Sequence, residues 1–139
     1  MKKLLLIAAA VLAGASGLRA EEYTAISPDG KITVTVSTAP ELRWSVTREG
    51  ERLLDASRIC MKIAGAEPFG AAPVVRRAER RRIDERSTAP VPTKFRTLHD
   101  RCEELLLTFR GGWAVRFRVY DNGAVYRFET ARKGTVDIE

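Results

Sequence analysis

The sequence predicts an all-β protein in which two antiparallel sheets pack through their apolar faces, and three observations carry that expectation. Apolar and polar residues alternate with period two in several separate stretches after Tyr23, turn residues interrupt the alternation at short intervals, and no stretch shows a helical repeat. With 139 residues, 45% hydrophobic and 30% charged, the chain is apolar enough to fold and short enough for a single domain. Whole-chain disorder is excluded by that apolar content, and the 10 Gly and 6 Pro follow no period that would suit a collagen-like chain.

The elements follow in order. Met1 to Ala20 joins two lysines, an apolar run from Leu4 to Ala13 and a string of small residues, the layout of a secretory signal peptide. Crossing the hydrocarbon of a membrane takes roughly 20 apolar residues, and this run stops short of that. The expected organisation is therefore a signal peptide over residues 1–20, cleaved after Ala20 or alternatively after Gly17, and a β-sandwich domain over 21–139. Removing the leader takes away Lys2, Lys3 and Arg19 and lowers the net charge from +6 to +3, with 21 basic and 18 acidic residues left. So mild a charge on an exported domain speaks against nucleic acid as a partner, and no second apolar stretch points to a membrane.

Ser27-Pro28-Asp29-Gly30 reads as a turn that launches the first strand, in which Ile32, Val34 and Val36 alternate with Lys31, Thr33 and Thr35. Leu42, Trp44 and Val46 alternate in the same way, and Glu49-Gly50 turns this strand back on residues 51–54 as a hairpin. Ile59, Met61 and Ile63 mark a further strand over Ser57 to Ala64, and Gly65 through Pro73 reads as loop. Val74 to Ile83 is a charged strand with arginines on both faces, which suits a solvated sheet edge. Asp84 to Asp100 reads mostly as loop. A meander closes the chain: Leu105, Leu107 and Phe109, a Gly111-Gly112 turn, Trp113 to Val119, an Asp121-Asn122-Gly123 turn, then Tyr126 and Phe128.

Catalytic patterns are weak throughout. Glu103 and Glu104 are adjacent on a strand, so their side chains leave from opposite faces and cannot act as an acid/base couple; a solvated strand end is the expectation. A Ser/His/Asp arrangement would have to use His99 beside Asp100, and the chain contains no GxSxG. No metal pattern stands out, since the one histidine and the two cysteines, Cys60 and Cys102, lack ligand spacing. Export permits a Cys60–Cys102 disulfide, while two small buried hydrophobes are the commoner state. Trp44 and Trp113 fall in the apolar register of their strands, which predicts core packing rather than sugar-stacking platforms.

Ser27-Pro28-Asp29-Gly30-Lys31 before an alternating strand, then Trp44-Ser45-Val46-Thr47 leading to Gly50 and Leu53-Leu54-Asp55-Ala56-Ser57-Arg58, resembles the N-terminal domain of glycoside hydrolase family 97. The resemblance continues through Arg80-Arg81-Arg82-Ile83-Asp84-Glu85 and Glu104-Leu105. Its most specific stretch is Phe117-Arg118-Val119-Tyr120-Asp121-Asn122-Gly123-Ala124-Val125-Tyr126-Arg127-Phe128. Order and spacing carry it across nearly all of the chain after the leader. Two departures stand out: Glu103 occupies a position where the family prefers Asn, and Pro90-Val91-Pro92-Thr93 lacks an aromatic-Gly pattern.

The resemblance implies an exported, periplasmic or secreted α-glucosidase or α-galactosidase built from a β-supersandwich, a catalytic (β/α)₈ barrel and a C-terminal β-domain. It implies that the catalytic and calcium-binding residues lie on the barrel, and none of those positions is matched here. The domain is expected to stop part-way, to pack against the barrel of the same enzyme and to need no cofactor of its own. The residues that carry the signature, Ser27, Pro28, Asp29, Gly30, Arg118, Tyr120, Asp121, Gly123, Tyr126 and Arg127, are assigned structural roles. Carbohydrate is admitted as a ligand, with no binding residue singled out, and a free-standing carbohydrate-binding sandwich is the alternative.

Overall fold

A computed structural model describes residues 21–91, 94–135 and 137–139; the expected signal peptide over 1–20 lies outside the described residues. Eight strands follow one another: β1 (Glu22–Ile26), β2 (Ile32–Ser37), β3 (Arg43–Arg48), β4 (Glu51–Arg58), β5 (Val75–Thr88), β6 (Thr97–Phe109), β7 (Trp113–Tyr120) and β8 (Gly123–Thr130). They form two four-stranded sheets, β1-β2-β3-β4 and β5-β6-β7-β8, each a simple antiparallel meander. The described residues contain no helix. The sheets face each other, with β1 over β6 and β7 and β2 over β7 and β8.

Alternation decides which side chains fill the space between them. Val34 and Val36 from β2, Leu105, Leu107 and Phe109 from β6, and Val115, Phe117 and Val119 from β7 are all sealed from solvent. Burying each such side chain contributes about 1.5–3 kcal/mol, which is why this one cluster spans and joins both sheets. Trp113 stacks between Phe109 (4.0 Å between ring centroids) and Phe69 (5.1 Å), so it is a core residue as the register predicts. Trp44 is half-buried and meets Phe117 and Tyr126.

The turns behave as their residues dictate. Glu49 and Gly50 both take positive φ (50° and 87°), the backbone twist that matches a two-residue hairpin to its strands. The charged strand β5 is indeed a sheet edge.

Four boundaries differ from expectation. A first strand, β1, precedes the Ser27 turn and pairs with β2 from Glu22↔Ser37 to Ile26↔Thr33. The β4 strand runs to Arg58 instead of stopping near residue 54. The expected strand over 57–64 reduces to isolated bridges, Met61↔Phe69 and Ile63↔Ile138, although Ile59 and Ile63 are buried. Their burial comes from a loop folded over the core, which mimics strand alternation. Much of the expected loop between Asp84 and Asp100 is instead the far half of the β5–β6 hairpin, paired continuously from Asp84↔Arg101 to Thr88↔Thr97. Most of these residues are exposed, so the arm has no apolar face to reveal it.

Candidate functional site

The polar residues converge on the outer face of the β5–β8 sheet. The Gly111-Gly112 turn sets the pairing of β6 with β7 so that Glu104 lies opposite Arg118, while β5 brings Arg81 to the other side of Glu104. Glu104 is consequently not a solvated strand end: its side chain is only 4% exposed, roofed by guanidinium groups. Arg81 Nε donates to Oε1 at 3.0 Å, Arg118 Nε donates to Oε2 at 2.8 Å, and Arg116 also donates to Oε1. Burial pushes the Glu104 carboxyl up, but Arg118, Arg116 and Arg81 outweigh it and hold it below the usual carboxylate range.

The network continues towards the β8 edge. Arg116 grips Glu129 with Nε and Nη2 at 2.6 and 3.0 Å, and Arg127 Nε donates to the same carboxylate at 2.8 Å. The Arg116 hydrogen bonds are the main reason that the Glu129 carboxyl is also held low. Arg118 reaches Asp100 at 3.3 Å on its other side. Arg118 and Arg127 therefore meet acidic groups on the outer face. Tyr120 and Tyr126 line one recess with them, together with Arg116 and Val125.

A second cluster ties the sheets at one end. Ser27 Oγ donates to Asp29 Oδ1 at 2.6 Å and accepts from Ile32 N–H at 2.9 Å, which fixes the turn around Gly30 (φ 78°). Asp29 N–H then donates to Asp121 Oδ1 at 2.8 Å, linking the β1–β2 turn to the β7–β8 turn, and Asp121 Oδ2 accepts from Arg101 at 3.4 Å. Gly123 and Tyr120 close the latter turn as register partners. Pro28 sits half-buried in the first. Glu103, on the inner face of β6, accepts from Ile26 N–H at 3.3 Å and so helps join the sheets.

These arrangements bind the protein to itself. The side-chain partner of His99 is Asp84 across the β5–β6 arm, with Nε2 2.6 Å from Oδ1, and that contact holds the Asp84 carboxyl low, while the adjacent Asp100 meets Arg118. Cys60 and Cys102 are unbridged, and burial pushes the Cys102 thiol up, away from a reactive thiolate. Glu103 and Glu104 occupy opposite faces. Among the described residues no group of three or more His, Cys, Asp or Glu is placed to hold a metal ion. The signature residues thus separate into a turn cluster and an outer-face network. Sequence reasoning missed Arg116, Glu129 and the burial of Glu104. Counting back along β6 and β7 from the Gly111-Gly112 turn would have set Glu104 opposite Arg118.

The fold is thus a two-sheet antiparallel β-sandwich whose buried carboxylate, Glu104, is held by three of its own arginines. The sequence profile of the glycosyl-hydrolase 97 N-terminal family matches residues 26–139, and the chain belongs to that family. It is 30% identical over 128 residues to a retaining alpha-galactosidase of Bacteroides thetaiotaomicron, covering 92% of this chain and 19% of the relative. A family 97 enzyme of Pseudoalteromonas sp. strain K8, solved with acarbose, superposes with a TM-score of 0.73 at 21% identity over 84% of this chain and 19% of its own. A beta-arabinopyranosidase crystal structure gives 0.74 at 22% identity, covering 84% of this chain and 20% of its own. The chain spans about a fifth of the length of these relatives.

Proposed function

We propose that this chain is the N-terminal part of a β-supersandwich in an exported family 97 glycosidase acting on α-glucosides or α-galactosides. In this reading it packs against the catalytic barrel, helps shape the substrate pocket and does no chemistry itself. The observation that carries the reading is the closure of the polar face: Glu104, the most deeply buried carboxylate described, spends both oxygens on Arg81, Arg116 and Arg118. A carboxylate so held stays ionised and has no free edge for proton transfer. Support also comes from the family match over 26–139 and from the lysine-led apolar leader at Met1–Ala20. The calcium of the resemblance belongs to the barrel in this reading, as do the catalytic groups. Trp44 and Trp113, packed against other aromatics, offer a free-standing sugar-binding module no flat platform.

The test is complementation. The Bacteroides thetaiotaomicron enzyme, with its matched stretch exchanged for this chain, is expected to retain hydrolysis of aryl α-galactosides. The purified chain alone is expected to show no turnover above background, with or without calcium. Turnover by the chain alone after rigorous purification, or an exchanged enzyme that is folded but inactive, would overturn the reading.

A further inference from the structure

The two sheets are out of step. With β1 over β6 and β7, and β2 over β7 and β8, the order of each sheet carries β4 past the free edge of β8 and β5 past β1. Each end of the sandwich is therefore a step one strand wide, and the two steps differ in chemistry. The strand that overhangs at one end, β5, is studded with arginines, so charge guards it against further pairing. At the other end the step is apolar: Trp44 and Leu54 line one sheet and Tyr126 and Phe128 line the other; Phe69 of the 59–73 loop covers it at Phe128 (6.2 Å between ring centroids), and it stays open at Tyr126, which is 39% exposed despite pointing towards the core side.

The wall of this step offers backbone that has no partner among the described residues. Tyr120↔Gly123 closes the two-residue β7–β8 turn, and Ala131 N–H donates to Gly112 C=O at the other end. Alternation between these points turns Val125, Arg127 and Glu129 towards β7. The N–H and C=O groups of Ala124, Tyr126 and Phe128 are left facing outward.

We infer that this step receives one further β-strand with apolar residues at alternate positions, which pairs with β8 and slides beneath β4. The strand is supplied by the remaining polypeptide of a family 97 enzyme, the four-fifths of its relatives' length that this chain does not span. The inference rests on the proposed role as a domain of such an enzyme and deepens it by naming the surface. A strand fits where a loop or helix does not: the outward groups repeat every second residue, and the lining residues of β8 share that repeat.

Hydrogen exchange tests it, with the full chain alone and with the chain exchanged into the Bacteroides thetaiotaomicron enzyme. In the dilute isolated chain, the amides of Ala124, Tyr126 and Phe128 should exchange at least about tenfold faster than those of Val125 and Arg127. In the exchanged enzyme they should slow by about tenfold or more, while the amides of β5 stay unchanged. Ala124→Pro removes an outward donor without touching the β7 ladder, and it should undo the slowing in the exchanged enzyme while leaving the isolated chain folded. An active exchanged enzyme with a still-fast β8 edge overturns this surface and leaves the domain role standing. Inactivity together with a fast edge overturns both. Protection that appears in the chain alone and grows with its concentration makes a second copy the occupant, and also overturns the inference.

Discussion

Glu104 shows how one carboxylate organises a face. Its oxygens lie beneath three guanidinium groups that are themselves unequally buried, Arg116 at 18% and Arg118 at 28% exposed against 63% for Arg81. Removing the shared acid leaves two part-buried arginines facing each other, so Glu104→Ala is expected to cost about 3 kcal/mol, near the lower end for a broken buried pair because the guanidiniums can turn to water. Arg81→Ala removes an exposed partner and should cost under about 1 kcal/mol. Urea unfolding of both variants checks the difference. The pH dependence follows from the direction of the shifts. Glu104 and Glu129 have folded values below the usual range, so their contribution is fully present above an unfolded value of about 4.3 and is lost as pH falls through the folded values. The midpoint of thermal unfolding should therefore fall steeply in acid below that point, and Glu104→Gln should flatten the slope. This residue was half legible: opposite faces for Glu103 and Glu104 follow from strand geometry, but the burial of Glu104 needs the register of three strands at once.

At the scale of elements, the glycines divide by what surrounds them. Gly70 has φ 92°, and a Cβ there would sit 2.4 Å from the Ile59 carbonyl oxygen, while its own carbonyl accepts from Leu42 N–H at 2.9 Å. Gly112 also has positive φ (75°), yet a Cβ there would meet open space. Gly112→Ala should cost only the left-handed backbone term, about 1–2 kcal/mol. Gly70→Ala adds a backbone clash to the same term and should exceed it clearly, with both read by denaturant midpoint at constant m. The sequence marked 65–73 as loop without showing that it is folded onto the β4 end of the core. Strands with one buried face, β2, β6 beyond Cys102 and β7, were readable from alternation. The β5–β6 arm was not, because pairing between two solvated strands leaves no hydrophobic period. The same physics hid β1, where Ala25 is the one fully buried residue.

For the whole molecule, the large aromatics are unevenly covered. Phe117 is fully buried and Trp113 nearly so, and the deficit is confined to Trp44, Tyr126 and Phe128 beside the β8 edge. One cluster therefore runs from Phe69 and Trp113 at one end, through Val115 and Phe117, towards Trp44 at the other. A continuous core makes the sheets interdependent, since neither can bury its inner face without the other. Unfolding should then be a single transition across both sheets. Trp44→Phe leaves Trp113 as the one reporter, at the end covered by the 59–73 loop. Its fluorescence transition in urea is expected to coincide with the loss of strand signal in far-UV circular dichroism. An earlier Trp113 transition would mean that the loop-covered end opens on its own and that the sheets are joined less tightly than their shared core implies. Tyr126, half-open at the far end, should by contrast give the first local exchange, because the edge beside it has no neighbour among the described residues to hold it closed.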